Sequence, residues 1–191
     1  MKTQNNDSTK FILTITLKLF LISTITALLL AGVNALTVDR IAENVRAEKA
    51  AAIQEIFPDA TANEPVDMTV ENVNELYLVY SGDTMLGYAA GVSPLGFGGA
   101  MEMMVGVYAD GTLAGLKLIT HSETPGLGSR VGEEPYISGY KGKTAVSIAD
   151  VDVITGSTIS SEALRLGTAN ALAAYDSIFS ASDVIPDGGA E

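Results

Sequence analysis

The sequence has no cysteine and no tryptophan, and His121 is its one histidine. Without thiols there can be no disulfide, no thiolate-bound zinc and no iron–sulfur cluster held by the chain itself. A single imidazole excludes a multi-histidine metal centre and a haem held between two histidines. Any redox chemistry must therefore come from a bound organic cofactor. Positive charge is also scarce: 11 lysines and arginines stand against 23 aspartates and glutamates, a net charge of −12. Residues 1–38 hold three lysines against Asp7, which leaves 8 basic and 22 acidic residues in 39–191. A domain this acidic lacks the basic footprint that nucleic-acid binding needs, so no nucleic-acid partner is expected. It should also keep off anionic lipid unless it is tethered.

A tether is expected from the N-terminal stretch. Residues 1–10 are mostly polar, and residues 11–38 are largely apolar with Lys18 as their one charge. Leu19 to Val38 is 20 residues without a charge, and a helix needs roughly 20 to cross a bilayer. Lys18 can snorkel to the inner interface. A cleaved signal peptide is the alternative, since Val33-Asn34-Ala35 loosely resembles a cleavage site. The apolar stretch is longer than a usual signal core, which favours a retained anchor. The expected organisation is a cytoplasmic tip at 1–10, a transmembrane helix at 11–38, an extracytoplasmic domain at 39–180 and an acidic, irregular tail at 181–191. The chain is expected to cross the inner (cytoplasmic) membrane once, with its N-terminus on the cytoplasmic side.

About 150 residues remain, enough for one domain with a real core. Asp39 to Phe57 reads as a helix, with Ile41, Val45, Ala52, Ile53 and Ile56 on one face and Pro58 as its stop. Residues 61–66 read as a loop, and 75–80 and 85–90 as strands around a Ser81-Gly-Asp83 turn. Gly91 to Gly99 is a glycine-rich loop that could cradle a ligand or simply join two strands. Residues 100–108 and 113–120 form the clearest hairpin, with Asp110-Gly111 as the turn signal. Met101, Met103 and Met104 read as core. Residues 132–142 read as a loop, in which Tyr136 or Tyr140 could stack on the ring of a cofactor or pack on the surface, and Lys141 and Lys143 could position a phosphate or a partner or simply be solvated. A last strand is expected at 145–154 and a last helix at 161–179, packed through Leu164, Ala171, Leu172, Tyr175 and Phe179. The fold class is α+β: a twisted, mainly antiparallel sheet with packed helices, preceded by one N-terminal transmembrane helix.

Two stretches carry chemistry. The first is His121-Ser-Glu-Thr-Pro-Gly-Leu-Gly-Ser-Arg130, directly after the hairpin. Proline and two glycines force a sharp turn there, and a loop at the end of a sheet is a usual place for ligand contact. Read alone it is equally a tight surface turn. His121 reads as a strand-end residue. The second is Asp152-Val-Ile-Thr-Gly-Ser-Thr158, where the last strand gives way to the last helix. Ser160 and Ser161 are natural N-cap residues, and Glu162 suits the positive end of a helix. Small residues, hydroxyls and free amides at a helix start make an anion site, most often for phosphate. Read alone, this too is an ordinary capped turn.

The spacing D-x-x-T-G-S-T resembles the signature of proteins that carry FMN on a threonine through a phosphoester bond. Ser157 stands where the signature usually has alanine. The run from Gly96-Phe-Gly-Gly through the hairpin to E-T-P-G-L-G resembles RnfG, a component of the Rnf ion-translocating electron-transport complex. RnfG is in turn similar to NqrC of the sodium-pumping NADH:quinone reductase. The likeness covers nearly the whole chain, and the two motifs about 30 residues apart form a specific pair.

The resemblance implies FMN attached covalently to Thr158, with Asp152, Thr155, Gly156 and Ser157 shaping the attachment site. It places Glu123, Thr124, Pro125, Gly126, Leu127 and Gly128 near the flavin ring. It implies maturation by a flavin transferase that uses FAD and a metal ion. It also implies partners among the membrane and peripheral subunits of an Rnf-type complex, which couples electron flow between ferredoxin and NAD to movement of Na+ or H+. The chain would then be an electron-carrying flavoprotein component rather than an enzyme alone, with no catalytic or metal-ligating residue of its own. A stand-alone extracytoplasmic flavin reductase and a non-redox, membrane-tethered binding or assembly module are the rival readings.

Overall fold

The computed structural model describes residues 4–180; the tail at 181–191 lies outside them. Helix α1 runs Gln4–Ile56. It takes in residues 4–10, read above as a polar tip, because lengthening an existing helix needs no new nucleus. The stretch Lys10–Ile56 is long and apolar enough to cross a membrane. Leu28, Leu29 and Leu30 are all exposed on successive faces, as in a helix that meets lipid rather than a core. The hydroxyls of Thr14, Thr24, Thr26 and Thr37 donate to the carbonyls four residues back, which leaves no polar side-chain oxygen of these four unsatisfied in hydrocarbon.

The chain divides into two compact units after Arg46. The second is built on an antiparallel sheet of five strands: β1 Ala62–Val66, β2 Glu75–Ser81, β3 Thr84–Val92, β4 Glu102–Tyr108 and β5 Leu113–Thr120. Each strand pairs with the next, in the order β1-β2-β3-β4-β5. The expected α+β class with an antiparallel sheet is therefore what the chain adopts. The Asp110-Gly111 turn forms as expected, with Asp110 Oδ1 accepting from the Thr112 amide at 2.9 Å and its hydroxyl at 2.7 Å.

Both faces of the sheet are covered, because strand residues alternate between two cores. Leu76, Leu78, Tyr88, Met103, Val105 and Val107 pack toward helix α3 (Thr158–Ser180), meeting Leu164, Ala171, Leu172 and Ile178. Val79, Ala89, Met104 and Ala114 form the opposite core with Ala52, Ile53, Ile56 and Phe57. The three methionines are core residues, each at most 1% exposed.

Four local expectations are corrected. Residues 61–66 are mostly edge strand: β1 pairs with β2, with Pro65 opposite Tyr77. Proline is tolerated on an edge, and a strand with four exposed residues shows no alternating apolar pattern. The expected strand at 145–154 is instead a 3-10 turn at Ser147–Asp150 flanked by irregular chain. The Thr144 amide donates to Ser147 Oγ at 2.8 Å and the Ile148 amide to the Thr144 carbonyl at 3.0 Å. These local bonds replace a ladder. The loop expected at 132–142 contains helix α2, Glu134–Ile137, between two 3-10 turns. Finally, α3 starts at Thr158, so Ser160 and Ser161 lie inside its first turn rather than capping it.

Candidate functional site

Three segments meet at the N-terminal end of α3. The loop between β3 and β4 brings Phe97. The loop after β5 brings Glu123, Thr124, Leu127 and Gly128. The turn into α3 brings Gly156, Ser157, Thr158, Ile159 and Ser160. Together they line an open cleft of about 380 Å3. That lies near the lower end of the roughly 300–1,000 Å3 of small-molecule sites.

Local bonds explain why the turn into α3 holds its shape. The Ser157 amide donates to the Ile154 carbonyl at 2.9 Å, and the Ser161 amide donates to the Ser157 carbonyl at 2.9 Å. Ser161 Oγ accepts from the Ile154 amide at 3.1 Å, tying the approach to the helix. Gly156 has φ +85°, a left-handed conformation that a side chain would strain. The result leaves Thr158 exposed at the helix start. Ser157 beside it is 5% exposed, and its Oγ has no hydrogen-bond partner. A buried hydroxyl without a partner is costly, and its place in the cleft wall suits a ligand acceptor.

The β5 loop is held as firmly. Glu123 is 5% exposed; its Oε2 accepts from Ser160 Oγ at 2.6 Å and its Oε1 from the Gly98 amide at 3.0 Å. The Glu123 amide donates to His121 Nδ1 at 3.2 Å, so His121 closes the strand end and stays outside the cleft lining. The Gly126 amide donates to Ser129 Oγ at 2.9 Å, and the Leu127 amide to the Thr124 carbonyl at 3.1 Å. Leu127 is left half exposed, facing the cleft with the exposed Phe97 and Ile159.

Of the residues singled out in the sequence, Thr158, Gly156, Ser157, Glu123, Thr124, Leu127 and Gly128 come together in the cleft lining. Asp152, Thr155, Pro125 and Gly126 are exposed and lie outside it. Phe97 and Ile159 also line the cleft without having been singled out, though Phe97 sits in the glycine loop read as able to cradle a ligand, and Ser160, read as a cap beside an anion site, joins them. Among the described residues, no lysine or arginine lines the cleft, so neither Lys141 nor Lys143 is placed to meet a phosphate there. Tyr140 is fully buried in the α3-side core. Its ring lies edge-on to Tyr136 at 5.7 Å. Burial, with the Tyr136 hydroxyl beside it, pushes its phenol well above the usual range. Neither tyrosine lines the cleft.

Comparison with known proteins bears directly on this cleft. Residues 96–173 match the FMN-binding domain family, and residues 1–56 match the RnfG N-terminal region. The G component of the Na+-translocating ferredoxin:NAD+ oxidoreductase complex of Acetobacterium woodii is 30% identical over 196 aligned residues, covering 88% of this chain and 94% of that protein. The chain belongs to the RnfG family. The G component of an ion-translocating oxidoreductase complex of Pseudomonas aeruginosa is also 30% identical, over 78% of this chain and 81% of its own length. Its counterpart in the proton-translocating ferredoxin:NAD+ oxidoreductase complex of Clostridium ljungdahlii is 26% identical, over 75% and 83%. Among solved structures, NqrC of Shewanella oneidensis is similar with a TM-score of 0.49 and 16% identity, covering 66% of this chain and 74% of that one.

Membership fits both units of the chain. The matched FMN-binding domain contains the whole cleft, from Phe97 to Ser160. The RnfG N-terminal match contains the long apolar helix, so this RnfG-family chain is a membrane-anchored flavoprotein.

Proposed function

We propose that this RnfG-family protein relays electrons through FMN esterified to Thr158, within an Rnf-type ferredoxin:NAD oxidoreductase complex that moves Na+ or H+. The observation that carries this reading is the juxtaposition of an exposed Thr158 with the buried, unpartnered Ser157 hydroxyl in a cleft walled by the E-T-P-G-L-G loop. The residues fit the cofactor in three respects. The first amides of α3, a 23-residue helix, can offset a phosphate charge where, among the described residues, no basic side chain lines the cleft. Ser157 Oγ–H can donate to a phosphate or ribityl oxygen. Phe97, Leu127 and Ile159 offer apolar walls to an aromatic ring.

Thr158 is the acceptor in a modification, not a nucleophile in the redox reaction. In maturation by a flavin transferase using FAD and a metal ion, Thr158 Oγ forms a bond to the flavin-side phosphorus. The pyrophosphate bond breaks, AMP leaves, and the hydroxyl proton passes to a base of the transferase or to water. Asp152 is exposed and outside the cleft, a position suited to being read by the transferase. FMN, once bound, supplies one- and two-electron transfer that the side chains lack. The chain's part is to hold the ring in a shallow, open cleft from which neighbouring subunits can exchange electrons. In so open a site a covalent link keeps the cofactor in place.

The N-terminus lies in the cytoplasm and the flavin domain outside the inner membrane. The other Rnf subunits supply the nicotinamide, ferredoxin and ion sites. The test is Thr158→Ala in the assembled complex. The variant should still co-purify with the other subunits but fail to support ferredoxin-dependent NAD reduction. Electron flow at the wild-type rate would refute the relay.

A further inference from the structure

Three stretches far apart in sequence converge on one side chain. Glu123 leaves β5, reaches the glycine loop through the Gly98 amide at 3.0 Å, and reaches the first turn of α3 through Ser160 Oγ at 2.6 Å. Its own amide is fixed by His121 Nδ1. The glycines around it make room for it. A Cβ built on Gly96 would fall closer than 3.0 Å to Glu123 Oε1, and one on Gly128 closer than 3.0 Å to both Glu123 Oε2 and Ser160 Oγ. The glycines at 96 and 128 are thus spatially one feature, the space occupied by the Glu123 carboxyl group. Each carboxyl oxygen accepts from a donor on a different segment, so the one side chain ties the glycine loop and the first turn of α3 to the end of β5.

We propose that Glu123 is the positioning residue of the flavin cleft: it clasps the glycine loop to the first turn of α3 and so sets the angle at which Thr158 is presented for attachment. This inference rests on the reading of Thr158 as the attachment point. Ser160 lies two residues beyond Thr158 in the same helical turn, so a shift of Ser160 tilts Thr158 with it. Phe97 is carried by the same loop whose Gly98 amide Glu123 holds, so the apolar wall of the cleft is set by the same side chain.

The substitutions separate holding from charge. In Glu123→Gln, the amide oxygen can still accept from Gly98, and the amide nitrogen can donate to Ser160 Oγ. In Glu123→Ala, both links are lost. The experiment incubates the full-length protein in detergent with flavin transferase, FAD and its metal ion. It follows covalent flavin by in-gel fluorescence, with circular dichroism as the check of folding. Glu123→Ala should slow attachment by about tenfold or more, as misplacement of a reacting group does. Ser160→Ala should fall between, and Glu123→Gln should stay near the wild-type rate. Attachment at the wild-type rate in Glu123→Ala, or Glu123→Gln as slow as Glu123→Ala, would overturn the proposal. Hydrogen exchange at the Gly98 amide reads the clasp without flavin: protection should be lost in Glu123→Ala and kept in Glu123→Gln, and unchanged protection in Glu123→Ala would refute it. If wild type accepts no flavin, the attachment reading fails while the Gly98 exchange still decides the clasp. If Glu123→Ala does not fold, Glu123→Gln and Ser160→Ala decide it, and a Ser160→Ala protein with unchanged attachment and Gly98 protection would overturn it.

Discussion

Ser157 and Thr158 are neighbours in the chain with opposite surroundings: Thr158 is exposed at the start of α3, while Ser157 is buried with its Oγ unpartnered in the wall of the same cleft. The one offers a hydroxyl for bond formation. The other holds a hydroxyl in reserve for whatever is bound.

Ser157→Ala should therefore act in opposite directions on the empty and the loaded protein. Without flavin it removes an unsatisfied buried hydroxyl, whose burial costs about 1–3 kcal/mol, and should raise stability by up to that amount. With flavin it removes a hydrogen bond, so reversible FMN binding should weaken by about tenfold, some 1.4 kcal/mol. Thermal unfolding, together with FMN titration in a Thr158→Ala background where attachment cannot occur, checks both signs.

Phe57 anchors the core on the sheet face away from α3. It is 1% exposed, and its ring meets Tyr108 edge-on at 5.5 Å. Phe57→Ala should destabilise the domain by about 3–5 kcal/mol. The denaturant midpoint of the full-length protein in detergent reads this directly. Because Phe57 is remote from the cleft lining, covalent flavin content of the folded fraction should not change.

Acid should weaken one ion pair selectively. Lys49 and the Tyr77 hydroxyl both donate to the Glu75 carboxyl group. Burial alone would raise the Glu75 pKa, but the hydrogen bonds from Lys49 and Tyr77 and the Lys49 charge outweigh it and hold it below its ordinary value of 4.5. A carboxyl with a lowered folded-state pKa stabilises the fold above its unfolded pKa, and that contribution is lost as pH falls through the folded value. Wild type should therefore be more stable than Glu75→Gln at neutral pH, with the gap closing as pH drops below 4.5. Unfolding midpoints of both proteins across that range test it.

What the sequence made legible was local. Asp110-Gly111 between two apolar runs dictated its hairpin, and the packing face of α3 followed from helical spacing at Leu164, Ala171 and Leu172. The two motifs at 123–128 and 152–158 pointed to one site only through the family resemblance, since each read alone is an ordinary turn. Phe97 was missed because a lone aromatic in a glycine loop has no periodicity, and its role depends on where Glu123 holds Gly98. Tyr140 was missed as core because an irregular segment takes its burial from tertiary packing. The strand expected at 145–154 failed because Thr144 and Ser147 bond locally, leaving Val146 fully outside while Ile148 turns in.

The most direct test of the account is the intact mass of the denatured protein after co-expression with a flavin transferase, for wild type and Thr158→Ala. The account predicts wild-type protein heavier by one esterified FMN and fluorescent in a denaturing gel, and a Thr158→Ala protein with neither property. Flavin that stays on the Thr158→Ala protein, or a wild type that carries none while the transferase modifies a control substrate, would contradict it.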